Sequence, residues 1–144
     1  MKILSISQDR YDQQSKKLLR LGFSDKQTQK MVIKISSSNT VKTLIAYYNK
    51  ACEYLSHSDL IGVCSKYCGG KTLLKIIRCR KRLNTIGFTD QNIVAITSND
   101  GGSKTLQAVI DNQNYISTSD MTKEKLTSKL SVNSGSKVLE NLML

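Results

Sequence analysis

Apolar residues return along this chain with the spacing of one helical face, and they do so four times. Leu44, Leu73, Leu106 and Leu139 are each followed, three and four places on, by an apolar pair: Tyr47 and Tyr48, Ile76 and Ile77, Val109 and Ile110, Leu142 and Met143. Residues at those offsets lie one above another on a helix. A lysine stands two places before each leucine. Lys71, Lys104 and Lys137 follow one another at 33 residues, and Lys42 lies 29 residues before Lys71. A second signature precedes each stripe: FSDKQ at 23, LSHSD at 55, FTDQN at 88 and MTKEK at 121. Each is an apolar residue, then Ser or Thr, then a polar or acidic cluster. Ser and Thr accept from the free amides of a first helical turn, so Ser24, Ser56, Thr89 and Thr122 are predicted N-caps. Ser24 with Gln27 has capping-box spacing, and Ser56 with Asp59 is a shorter-armed variant. In the last three units the opening residue can staple to the fourth helical position: Leu55 to Leu60, Phe88 to Ile93, Met121 to Leu126. In the first unit Thr28 faces Phe23 instead.

Each unit therefore reads helix, short loop, helix. One such unit cannot bury its own stripe, but stacked units bury each other's, so the pattern predicts an all-α solenoid of about four repeats. The expected divisions are a helical cap over 1–22, degenerate repeats over 23–54 and 55–87, a regular repeat over 88–120, and a shortened repeat over 121–144. Composition agrees. There is no Trp and there are two Phe among 144 residues, leaving the core to Leu, Ile, Val and Met. No run approaches the 18 apolar residues of a membrane span, and the opening MKILSISQDRYDQQ is too polar for a signal peptide.

Charge narrows the partner. Twenty-two Lys and Arg oppose eleven acidic residues, a net +11, which suits a polyanion or simply a basic surface. The cysteines are Cys52, Cys64, Cys68 and Cys79. Cys64 and Cys68 are spaced C-x3-C near His57, the only histidine, but no second pair has ligand spacing. No metal site or cofactor is expected, and free thiols point to a reducing, intracellular setting. One histidine and scattered acids give no recurring catalytic constellation, so an enzyme is not expected.

The segment SNDGGSKTL, 98–106, joins the two helices of the third unit. Its glycines open backbone conformations closed to other residues and permit close approach. The lysine then falls at the start of the second helix, where free amides and the dipole favour anions. Four units would set Lys42, Lys71, Lys104 and Lys137 along one edge, with Gly69, Gly70, Gly101, Gly102 and Ser103 beside a phosphate. A cation there opposes the dipole, so its recurrence asks for a reason beyond solvation. GGKT also resembles the end of a nucleotide-binding P-loop, but Ser65 stands where that pattern needs its first glycine. Asp100 alone reads equally as a turn residue. Arg78, Arg80, Lys81 and Arg82 read as cations closing a second helix, and Tyr47 and Tyr48 as core.

The unit FTDQNIVAITSNDGGSKTLQAVIDN closely resembles a repeat of the transcription-activator-like effectors, most of all the Burkholderia TALE-like branch. The resemblance covers about 21–144, tightest at 88–112 and loosest in the first and last units. It implies a right-handed superhelix tracking the major groove of double-stranded DNA. It also implies that, of two adjacent loop residues, the first braces the loop and the second touches a base. Carried over, Asn99 braces and Asp100 reads. A carboxylate there would accept from the cytosine amine. Val132 and Asn133 are the next pair, and an Asn there favours a purine through N7. Lys66 and Tyr67 hold the same place in the second unit and look like a backbone clamp. The chain departs from the family in having no proline and no tryptophan. Ser134 replaces the first glycine of the last loop, Val132 cannot brace by a hydrogen bond, and the apolar NLML ends without a polar cap. The first unit has only SSSNT, expected to support the stack. The family further implies an effector that is secreted and acts in a host nucleus.

Two reading units, at about 1–3 kcal/mol per base pair, supply at most roughly 6 kcal/mol of discrimination. The expected activity is therefore mainly non-specific, salt-sensitive duplex binding, roughly micromolar or weaker, with a mild base preference. Self-association through the open C-terminal repeat face would lengthen the array. The alternative is an α-solenoid scaffold that binds protein, its basic character incidental.

Overall fold

A computed structural model describes residues 8–34 and 38–144. Among them the chain is helical throughout, without a strand: α1 Gln8–Arg20, α2 Asp25–Lys34, α3 Ser38–Ala51, α4 His57–Cys64, α5 Gly69–Ile86, α6 Asp90–Thr97, α7 Gly102–Asp111, α8 Gln113–Thr118, α9 Lys123–Leu130 and α10 Gly135–Leu142. The all-α class follows. No helix among the described residues is long and apolar enough to cross a membrane. Residues 1–7 of the expected cap, and part of the SSSNT segment, lie outside the described residues.

The helix starts fall where the caps put them. Thr89 Oγ1 accepts from the Asn92 amide at 3.1 Å, and Asn92 Oδ1 accepts from the Thr89 amide at 2.9 Å. Ser56 and Asp59 make the same reciprocal pair at 3.1 and 2.9 Å, as do Ser24 and Gln27 at 3.0 Å each way. Thr122 accepts from the Lys125 amide at 3.1 Å, the lysine offering nothing in return. Such a cap is worth about 1 kcal/mol, because it satisfies amides that the helix leaves orphaned. Phe23, Leu55 and Phe88 are buried at the entries, as are Leu60, Ile93 and Leu126 at the fourth helical positions. Thr28 is buried too, and its Oγ1 has no hydrogen-bond partner among the described residues.

The chain divides into two compact units, Met1–Leu73 and Leu74–Leu144, with the division inside α5. In the first, α2 packs on α1 and α4, and α3 packs on the same two helices. In the second, α6 packs on α7 and α9, and α10 on α7 and α9. In the second unit the first-position helices thus meet each other, and the second-position helices do likewise, two hairpins side by side; in the first unit the first-position helices α2 and α4 meet. The stripe leucines are among the deepest residues. Leu44 and Leu73 in one unit, and Leu106 and Leu139 in the other, have no exposed surface. Full burial of each contributes roughly 1.5–3 kcal/mol. The rest of the stripe is uneven. Val109 and Ile110 are buried, while Tyr47, expected in the core, is 41% exposed and Met143 is 38% exposed.

Tyr48 is only partly buried. It meets the Phe23 ring edge-on at 5.9 Å, and its hydroxyl donates to the Leu21 carbonyl at 2.7 Å. His57 stacks on Phe23 at 4.2 Å and contacts the Tyr48 hydroxyl through Nε2. Burial raises the Tyr48 phenol above its ordinary value, and the neighbouring Cys52 thiol adds to the shift.

Two features depart from the simple repeat. The second helix of the third unit breaks at Asn112, whose Nδ2 donates to the Ala108 carbonyl at 2.7 Å. A side chain bonding its own helix four residues back competes with the backbone there. The basic run also sits inside α5 rather than closing it, because the helix continues to Ile86. Arg80 reaches Asp90 through two bonds, Nε to Oδ1 at 2.8 Å and Nη2 to Oδ2 at 2.9 Å. That guanidinium holds the Asp90 carboxyl below the usual carboxylate range. The pair's stabilisation is therefore present above the unfolded carboxylate pKa and lost as pH falls through the folded one.

Two second helices, α5 and α10, start against the ends of the preceding helices with no room for a side chain. A Cβ on Gly135 would stand 2.3 Å from the Leu130 carbonyl oxygen, and one on Gly69 would stand 2.4 Å from that of Cys64. Gly135→Ala is expected to lose roughly 2–3 kcal/mol, since the helix must move to admit a methyl. Thr28→Val should gain about 1 kcal/mol by removing an unpaired buried hydroxyl at nearly constant shape. Urea denaturation measures both; an unchanged midpoint in either variant contradicts the packing described.

Candidate nucleic-acid interface

Three loops, at 65–68, 98–101 and 131–134, join first helices to second helices with a common backbone. Cys68, Gly101 and Ser134 hold the left-handed conformation at φ 56°, 81° and 58°. They are 33 residues apart. The Thr72 hydroxyl donates to the Cys68 carbonyl at 3.3 Å, and the Thr105 hydroxyl to the Gly101 carbonyl at 3.2 Å. The threonine of the Lys-Thr-Leu motif thus closes its loop. The next register position is Gly69, Gly102 or Gly135, each buried.

Glycine in this loop does different work from that expected at a phosphate. Gly69 donates its amide to the Lys66 carbonyl at 2.9 Å, and Gly70 donates to Thr40 Oγ1 at 3.2 Å. Both residues are buried, and a Cβ on Gly70 would lie 2.9 Å from the Thr40 Cα. Their amides are committed inside the first unit, so smallness here serves helix packing. The lysine register carried this signal: counting back from Lys71, Lys104 and Lys137 aligns Gly69 with Gly102 and Gly135, and Cys68 with Gly101 and Ser134.

Of the two residues before each left-handed position, Lys66, Tyr67, Asp100, Val132 and Asn133 are exposed and Asn99 is half-buried. Asn99 Nδ2 donates to the Ala95 carbonyl at 2.9 Å, tying the loop to the end of α6. Asp100 is exposed. Its amide donates to Asn133 Oδ1 at 2.9 Å, and its carbonyl accepts from the Ser134 amide at 3.0 Å. Two adjacent loops of the second unit are therefore bonded directly. Val132 is 42% exposed and supplies no polar side-chain atom. In the first unit Lys66 is exposed, and Tyr67 is 79% exposed.

Lys42, Lys71, Lys104 and Lys137 are all exposed. Lys71, Lys104 and Lys137 are the third residues of α5, α7 and α10. None of the second-position helices α3, α5, α7 and α10 carries an acid in its first turn. The first-position helices α2, α4, α6 and α9 carry Asp25, Asp59, Asp90 and Glu124 there. A helix dipole favours the acid, by typically 0.3–1 kcal/mol. Lysine in its place gives up that stabilisation and leaves an amide-rich, positive helix start. Ser103 is half-buried, at the second position of α7. Arg78, Lys81 and Arg82 add an exposed basic patch along α5.

The cysteines are all free. Among the described residues no three of His, Cys, Asp and Glu come together as metal ligands. An open depression of about 380 Å³ between α2 and α4 is lined by Lys26, Gln27, Lys30, Ser58, Ile61 and Gly62.

Burial pushes the Cys64 thiol up to about 12, whereas Cys52 and Cys68 are exposed. A small disulfide reagent at pH 8 should modify Cys52 and Cys68 promptly and Cys64 roughly a thousandfold more slowly, until the chain is denatured. Peptide mass mapping reads the order, and rapid labelling of Cys64 in the native chain contradicts its burial. No protein-family model matches the chain, and no curated protein matches it.

Proposed function

We propose that the chain binds double-stranded DNA as a short TALE-like array of stacked helix–loop–helix repeats, wound as a right-handed α-solenoid. Its loops face the major groove. The binding is mostly sequence-independent, with a weak base preference at the Asp100 and Asn133 loops. The observation that carries this reading is the charge placement: an exposed lysine is the third residue of α5, α7 and α10, Lys42 is exposed as the fifth residue of α3, and none of these four helices carries an acid in its first turn. A phosphate oxygen there would meet an ammonium and the positive end of a helix dipole together.

Lys104 and Lys137 flank the bonded loops of the second unit, and Lys42 and Lys71 hold the equivalent motif positions in the first. Asn99 braces the loop through Ala95. Asp100 then presents acceptor oxygens suited to the cytosine amine, and Asn133 retains Nδ2 donors suited to a purine N7. Gly101 and the half-buried Ser103 stand beside the α7 start where the strand would pass, while Gly102 is buried beneath them. Lys66 and Tyr67 serve as a backbone clamp.

Fluorescence anisotropy with a short labelled duplex across a salt series tests the reading. Four phosphate contacts give a log–log slope of about −3.6, and Lys104→Ala with Lys137→Ala should flatten it by about 1.8. Binding absent at low salt, or a slope unmoved by the double substitution, would count against DNA and in favour of a protein-binding scaffold.

A further inference from the structure

Asn133 has a second task, visible in the free chain. Its Oδ1 accepts the Asp100 amide at 2.9 Å, while the Ser134 amide donates to the Asp100 carbonyl at 3.0 Å. The peptide groups on both sides of Asp100 are thus gripped by the following loop. Gly101 beside it faces the same segment, since a Cβ there would lie at ordinary contact distance, 3.5 Å, from the Ser134 nitrogen. Asn99 holds the loop from the other side, on Ala95.

Resting on the DNA-binding reading, we propose that Asn133 is a positioning residue for Asp100, so that the two adjacent loops read as one coupled element. A side chain on a loop presents its carboxylate in a defined direction only if the backbone beneath it is immobile. The Asn133 bond removes the freedom of the Asp100 peptide, and the left-handed Ser134 aims the second donor at the Asp100 carbonyl. The same bond sets what Asn133 can read. With Oδ1 aimed at the Asp100 amide, the Nδ2 donors are what Asn133 most readily offers a base, which disfavours the bidentate pairing of an amide with adenine N6 and N7. A guanine edge, with O6 and N7 both acceptors, suits the donors that remain.

The test uses the full chain and two variants. Asn133→Ala removes the acceptor, whereas Asn133→Asp keeps an acceptor oxygen at the same reach. Residue 133 is exposed, so both should fold. Amide exchange of the free chain, followed by NMR, should show Asp100 about tenfold faster in Asn133→Ala and near wild type in Asn133→Asp. Duplexes differing only at the base pair assigned to Asp100 should show the cytosine preference falling several-fold, by about five or more, in Asn133→Ala and surviving in Asn133→Asp. Unchanged Asp100 exchange in Asn133→Ala overturns the proposal. So does faster exchange with an undiminished cytosine preference, in which case duplex binding itself still stands. A wild-type chain that binds no duplex at low salt sinks both readings together.

Discussion

The structure depends on closing a pair of short helices without a side chain between them. At Gly69 and Gly135 a backbone carbonyl occupies the space a Cβ would need. That approach brings the second helix down onto the end of the first, and puts the leucine four residues later into full burial: Leu73 after Gly69, Leu139 after Gly135. Hairpins with eight-residue helices such as α9 and α10 are too short to be stable alone. Their stability comes from burying one apolar stripe against a neighbour, and the glycine contact sets how deep that stripe goes.

The close approach also shapes the loops. With the second helix starting at a fixed glycine, the residue before it must turn left-handed, and Cys68, Gly101 and Ser134 all do. The two residues before that are pushed to the surface. Short loops of this kind have few ways to satisfy their backbone, so Thr72 and Thr105 each return a hydrogen bond to it, and Asn99 ties the loop to the Ala95 carbonyl of α6. What remains outward is a small set of polar side chains beside a positive helix start. Lysine at that start is unfavourable for the helix on its own, and a polyanionic partner supplies the compensating interaction in the DNA-binding reading.

The same economy explains the bond between the Asp100 and Asn133 loops. A loop of four residues has too few internal contacts to hold one conformation, and the adjacent loop is the nearest source of donors and acceptors. These two loops therefore share hydrogen bonds in which one side chain supports the backbone of the other.

Much of this was legible in the chain itself. The spacing of Leu44, Leu73, Leu106 and Leu139 gave one buried face per unit, because a helical period repeats whatever surrounds it. Ser24, Ser56, Thr89 and Thr122 marked the helix starts because capping is local chemistry between residues three apart. Other features needed the packed structure. The role of Gly69 and Gly70 rests on Cys64 and Thr40, contacts set by tertiary approach rather than by the loop's own sequence. Tyr47 carries an apolar pattern, yet it lies 41% exposed, because periodicity names a face but not the width of the neighbour covering it. At the break after Asp111, the Asn112 side chain shares the Ala108 carbonyl with its own backbone amide, a local contest that a propensity average does not resolve. The bond from Asn133 to Asp100 spans 33 residues. The repeat made these positions equivalent along the chain, and only the stacking of adjacent hairpins made them neighbours.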